Sequence, residues 1–178
     1  DLGAVMASRS LKHYWQPGIN FYSVSNVDGT QLADLMECID PEETLFVVCS
    51  KTFTTQETMT NAKAAREWLS GTLGESAVSN HFAAVSTDQE AMDHFGINPD
   101  CRFEFWDWIG GRFSIWSSVG LSLALVVGMD RFQEMLTGAR RIDHHLRTAP
   151  LDSNMPVLLA MIGIWYNNFF GAETHAIL

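Results

Sequence analysis

Leu45-Phe46-Val47-Val48-Cys49 is an unbroken apolar run, rich in β-branched residues and closed abruptly by Ser50-Lys51-Thr52. So short a run, with no polar alternation, predicts a strand covered on both faces, which requires layers packed on each side of a sheet. Its surroundings supply them. Leu32, Leu35, Met36 and Ile39 fall at i, i+3, i+4 and i+7, predicting an amphipathic helix over 29–39 that Asp40-Pro41 closes. Helices are also expected over 2–14, 55–70 and 88–95. Short strands are expected at Phe21-Tyr22-Ser23-Val24-Ser25, Phe82-Ala83-Ala84-Val85-Ser86 and Arg102-Phe103-Glu104-Phe105. Strands alternating with helices predict an α/β fold, a three-layer α/β/α sandwich around a mainly parallel sheet. Stretches 115–128, 130–146 and 155–170 read as helices, so the last fifty residues break the alternation. The expected division is a sheet domain over 1–127 and a helical segment over 128–178.

Length and 47% hydrophobic content suit one globular domain with a sizeable core. The formal charge of −10 argues against a nucleic-acid or anionic-membrane surface. Three cysteines, Cys38, Cys49 and Cys101, are odd in number and widely spaced, as expected of buried thiols in a reducing cytoplasm. No CxxC pair or His/Cys cluster marks a metal site. The uncharged runs Phe113–Met129 and Ser153–Ala172 are short or interrupted by Asn, Pro and Gly, and read as buried core or interface helices rather than membrane spans. The chain opens at Asp1-Leu2-Gly3 without an initiator Met or signal peptide. It closes at Thr174-His175-Ala176-Ile177-Leu178 directly after an apolar helix, so an internal segment of a longer protein is expected.

In parallel α/β sheets, ligands collect beyond the carboxyl ends of the strands. The strand at 45–49 therefore delivers Ser50-Lys51-Thr52-Phe53-Thr54-Thr55 to the expected binding edge. Thr54 and Glu57 have capping-box spacing, placing the helix start at Thr54 or Thr55. Hydroxyls, one ammonium and helix-terminal N–H groups would then converge into a phosphate cradle built without a glycine-rich loop. An ordinary strand-to-helix turn with common N-cap residues is the plainer alternative.

A second candidate is Arg112, behind Gly110-Gly111 in the tryptophan-rich run Phe105–Gly120. A cation at the opening of an apolar run needs an anionic partner. It either pairs with Asp107 or Glu104 to hold a loop, or faces charge developing on a substrate oxygen, a task suited to a guanidinium that stays protonated. The spacing leaves both open. His144-His145, among Arg140, Arg141 and Arg147, point in different directions on a helix and suit a solvated or interface face. His175 and Glu173, at i, i+2, would not face each other on a helix. Asp28-Gly29-Thr30 reads as a turn and helix start, and Trp106, Trp108, Trp116 and Trp165 as core or interface packing.

The run Asp107-x-Ile109-Gly110-Gly111-Arg112-Phe113-Ser114-Ile115-x-Ser117-Ser118-Val119-Gly120 closely resembles the signature of the glucose-6-phosphate isomerase family around its Gly-Gly-Arg. Ser50–Thr58, Ser25–Thr30 and Gly171-x-Glu173-Thr174-His175 match in family order, so the resemblance spans essentially the whole chain. It implies a sugar-isomerase domain over 1–127 and a helical connection to a large domain over 128–178. It also implies glucose 6-phosphate and fructose 6-phosphate as substrates, with ring opening and proton transfer between C1 and C2 through a cis-enediol. Ser50, Lys51, Thr52, Thr54, Thr55 and Gly111 would bind substrate, and Arg112 would stabilise the enediolate. No metal or organic cofactor, nucleic acid or membrane is implied. The resemblance further implies a cytoplasmic homodimer acting in glycolysis and gluconeogenesis.

The family pattern places a Gly-Gly-Ser strand just before Asp1, and its glutamate base, ring-opening histidine and lysine beyond Leu178. Isomerisation by this segment alone is therefore not expected. The alternatives are a non-catalytic sugar-phosphate sensor and an assembly fragment built on the helices at 115–128 and 155–170.

Overall fold

The computed structural model describes residues 2–176, so the expectation attached to Ile177 and Leu178 lies outside the described residues. Two compact units emerge, Asp1–Met129 and Asp130–Leu178.

The first unit begins with helix α1 (Leu2–Ser10) and a 3-10 turn at Lys12–Tyr14, together filling most of the helix expected over 2–14. The expected strand at Phe21–Ser25 is not formed. A strand needs a partner ladder, and none of the described strands lies against this segment. Its backbone is held by side chains instead: Gln31 donates to the Ser23 carbonyl at 3.0 Å, and Asn61 to that of Asn26 at 2.8 Å. Helix α2 (Gly29–Met36) follows, with Asp28 as N-cap accepting from the Thr30 N–H at 2.9 Å. That bond holds the Asp28 carboxyl below its usual pKa range. The helix stops three residues short of Ile39, and Asp40 instead caps a 3-10 turn at Pro41–Glu43.

Strand β1 (Phe46–Cys49) leads through α3 (Gln56–Leu73) and α4 (Val78–His81) to β2 (Phe82–Val85), and α5 (Gln89–Phe95) leads on to β3 (Arg102–Phe103). The three strands run parallel in the order β1-β2-β3, with Phe46 opposite Phe82 and Val85 opposite Phe103. Side chains alternate as a pleated sheet requires. Phe46, Val48, Phe82 and Ala84 face Met59, Ala62, Ala65 and Leu69 of α3 and Met92 and Phe95 of α5. Val47, Cys49, Val85 and Phe103 face Phe105, Ile109, Val119 and Leu121. Both faces of the sheet are thus covered, as the unbroken apolar run requires. Leu69, Phe82 and Met92 have no exposed surface. Burying such a side chain stabilises the fold by about 2 kcal/mol each.

The expected helix at 115–128 is shorter than its pattern: 3-10 turns at Gly111–Trp116 and Ser118–Gly120 precede α6 (Leu121–Val127). Ser117 interrupts the run with extended backbone, and its side chain accepts from the Val119 N–H. Trp106, Trp108 and Trp116 are exposed rather than packed into a core, the first two stacked on each other at 6.1 Å. Cys38 is likewise exposed, against the expectation of buried thiols, because it lies in the turn after α2. Burial does push the Cys49 thiol up to about 11.

The second unit contains α7 (Met129–Thr148, which begins one residue earlier) and α8 (Met155–Phe170). Asn154 organises the turn between them. It is 1% exposed, donates to the Leu146 carbonyl at 2.9 Å and the Ala149 carbonyl at 3.3 Å, and accepts from the Val157 N–H as the N-cap of α8. Asn154→Asp keeps the cap acceptor but loses the donors, so it should destabilise this unit by about 1–3 kcal/mol. A loss of hydrogen-exchange protection in α8 would register this, and unchanged protection would refute the assignment. No residue of α8 is buried, so the helix at 155–170 is not core within this chain. Among the described residues, no helix is long and apolar enough to cross a membrane.

Candidate functional site

Ser50 leaves the carboxyl end of β1 still donating its N–H to the Val85 carbonyl at 3.1 Å, so the cradle grows directly from the sheet. The next carbonyl, that of Lys51, accepts from the Thr87 N–H at 2.9 Å, from Ser86 Oγ at 3.0 Å and from Thr87 Oγ1 at 2.7 Å. These contacts fix the chain where it turns away from the strand. Phe53 then takes a left-handed conformation, φ 54°, which a bulky residue adopts only when its surroundings enforce it. Its ring supplies the enforcement: it is 5% exposed, inside the α3–α5 face of the core, and edge-on to Phe95 at 5.7 Å.

The bend gathers the hydroxyls. Ser50 Oγ donates to Thr55 Oγ1 at 3.1 Å, and the Thr52 and Thr54 hydroxyls lie 2.6 Å apart. Because Thr54 and Thr55 are engaged this way, the expected capping box does not form. Helix α3 starts at Gln56, and its N-cap Thr55 makes no side-chain cap bond. Asp28, Asp88 and Asn154, by contrast, cap α2, α5 and α8 with their side chains. The first turn of α3 therefore offers N–H groups and the positive end of the helix dipole to an anion, with the threonine hydroxyls beside them.

Lys51 joins this cradle to the other candidate. Its ammonium donates to the Asp107 carbonyl and, at 3.3 Å, to the Ile109 carbonyl, just before Gly110-Gly111-Arg112. Gly110 is extended, whereas Gly111 has φ 64°, the left-handed conformation that glycine adopts at no steric cost. Its carbonyl accepts from Ser114 Oγ at 2.6 Å, stabilising the turn that carries Arg112. Arg112 is exposed, with its guanidinium over the Phe113 ring at 5.1 Å. Among the described residues it forms no ion pair, and Glu104 instead accepts from Gln89 at 2.5 Å. The loop-holding pair with Asp107 or Glu104 is therefore absent, and the loop is held by Lys51 and Ser114.

The histidines do not join this constellation. His145 Nε2 accepts from the Met155 N–H at 3.0 Å, a structural contact in the second unit. Glu173 and His175 lie in irregular chain after α8, with no bond between them. Sequence reasoning missed Ser86 and Thr87, which hold the Lys51 carbonyl. The available signal was their place directly after β2, equivalent to that of Ser50 and Lys51 after β1.

A family model described as phosphoglucose isomerase matches residues 1–178. Glucose-6-phosphate isomerase from Deinococcus deserti is 57% identical over 179 residues, covering 100% of this chain and 33% of the relative. The Methylococcus capsulatus enzyme of that name is 54% identical with the same coverage. Among solved structures, a glucose-6-phosphate isomerase from Chlamydia trachomatis superposes with a TM-score of 0.85 at 34% identity, over 96% of this chain and 33% of that one. A Thermus thermophilus protein superposes with a TM-score of 0.77 at 27% identity, over 93% of this chain and 40% of that one. The chain thus spans about a third of the length of the curated relatives it matches.

Proposed function

The chain belongs to the phosphoglucose isomerase family, and on that footing we propose that it supplies the phosphate cradle and the oxyanion-stabilising arginine of a glucose-6-phosphate isomerase. In this reading the parent protein interconverts glucose 6-phosphate and fructose 6-phosphate. The observation that carries it is the Lys51 bridge, which ties the cradle at the end of β1 to the loop bearing an arginine that forms no ion pair among the described residues. Ser50, Thr52, Thr54, Thr55 and the first-turn amides of α3 hold the phosphate. Lys51 adds positive charge and fixes the Gly-Gly-Arg loop, and Gly111 lets that loop turn towards the sugar.

Ring opening exposes a carbonyl at C1 or C2, and a base then removes the proton from the neighbouring carbon. Negative charge accumulates on the carbonyl oxygen as the cis-enediolate forms. Arg112, which cannot give up its proton at neutral pH, stabilises that charge. The carboxylate that moves the proton, and the groups that open the ring, come from outside these 178 residues.

The residues 1–127 then form a sugar-isomerase domain and 128–178 its connection to a larger domain. The parent is a cytoplasmic homodimer of glycolysis and gluconeogenesis, without a nucleic-acid or membrane partner. A hybrid enzyme in which this chain replaces the matching third of the Deinococcus deserti relative tests the reading. Turnover of fructose 6-phosphate to glucose 6-phosphate is expected; a folded hybrid without turnover would reject it.

A further inference from the structure

Gly3 lies in the first turn of α1, and the backbone of Arg112 runs against it. A Cβ placed on Gly3 would fall 2.1 Å from the Arg112 carbonyl oxygen, 3.0 Å from its carbonyl carbon and 3.3 Å from its Cα. All three are main-chain atoms, so no rotamer change relieves the overlap; either the helix or the arginine loop must move. Gly3 is not among the glycines with positive φ, so conformational freedom does not account for glycine here. Gly110 and Gly111, immediately before the arginine, have nothing within 4 Å of their Cβ positions. The close approach is therefore concentrated where α1 meets the Arg112 backbone.

We infer that Gly3 is a positioning residue for Arg112: the side chain it lacks sets the depth at which the arginine loop seats on α1. Lys51 fixes the same loop through the Asp107 and Ile109 carbonyls. Lys51 thus holds the chain leading into the arginine, and α1 abuts the Arg112 main chain itself. The inference rests on the isomerase reading of Arg112. Restoring normal contact around an added methyl requires a displacement on the order of 1 Å, since carbon atoms settle at roughly 3.5–4.0 Å. A misplacement of that size can cost about 100-fold in rate.

The test compares Gly3→Ala, Arg112→Ala and the double variant in the hybrid enzyme. Gly71→Ala serves as control, because a Cβ there meets nothing within 4 Å. Gly3→Ala is expected to lower kcat roughly 10- to 100-fold with KM nearly unchanged. The double variant should be no slower than Arg112→Ala alone, because the two changes act on one interaction. Gly71→Ala should leave both constants as they were. An unchanged kcat in Gly3→Ala, a rise in KM alone, or additive losses in the double variant would each overturn the inference. So would a Gly3→Ala protein that does not fold while Gly71→Ala does, since Gly3 would then serve packing only. An inactive parent hybrid, or full activity in Arg112→Ala, would instead reject the isomerase reading. The contact itself is checked separately in the crystal structure of the hybrid enzyme, where Gly3→Ala should widen the separation of α1 from the Arg112 main chain by on the order of 1 Å; an unchanged separation would show that the close approach does not exist.

Discussion

Arg112→Ala in the hybrid enzyme is expected to lower kcat about 100- to 1,000-fold while leaving KM nearly unchanged. The asymmetry follows from where the charge is needed. In the proposed reading the phosphate is present in substrate and transition state alike, and the cradle at Ser50–Thr55 binds both equally. The enediolate oxygen carries its charge only near the transition state, so removing its stabiliser affects the chemical step selectively. Among the described residues Arg112 has no acidic partner, so alanine there breaks no ion pair that the described structure contains. Arg112→Lys restores the charge but not the planar fork, and should recover only part of the rate. A tenfold rise in KM with kcat intact would instead make Arg112 a ground-state binding residue.

The second large effect concerns association. Helix α8 exposes Leu159, Ile162, Tyr166 and Phe169, which share a face, and Trp165 and Phe170 beside them. Contiguous apolar surface of this kind marks either an interface or an aggregation hazard. Strand β1 adds to it, because among the described residues it pairs only with β2 and leaves its other edge open. The isolated 178-residue chain should therefore self-associate. Replacing Leu159, Ile162 and Phe169 together with lysine should shift it to largely monomeric at the same concentration, as followed by light scattering. A monomeric starting chain would contradict the prediction. So would self-association that the triple substitution leaves intact, which would point to the β1 edge instead.

The sheet was legible because burial on both faces leaves its mark in composition. Leu45–Cys49 and Phe82–Val85 contain no polar residue, and the helices between them show their periodicity. Phe21–Ser25 mixes aromatic and β-branched residues with two serines and forms no strand, because pairing depends on a neighbour that residue type does not encode. That Ser50–Thr55 form the turn between β1 and α3 was also legible, and the proposed cradle there rests on a simple rule, that ligands gather past the carboxyl ends of parallel strands. Its internal wiring did not follow. Spacing proposed a capping box between Thr54 and Glu57, but the left-handed turn at Phe53 gives the hydroxyls to one another and leaves the helix end uncapped. The contacts of Lys51 with Asp107 and Ile109 span more than fifty positions, and no local pattern reports a contact of that kind. Nor does any local pattern mark Gly3, whose close neighbour, the Arg112 backbone, lies more than one hundred positions along the chain.

In the proposed reading, the turn after β1 and the start of α3 bind the sugar phosphate. Titration calorimetry of the 178-residue chain with fructose 6-phosphate, beside Lys51→Ala, tests it most directly. The unsubstituted chain is expected to bind, and Lys51→Ala to bind at least about tenfold more weakly, in line with the loss of a charge-assisted hydrogen bond. Equal affinity in the two proteins, or no binding by a folded unsubstituted chain, would contradict it.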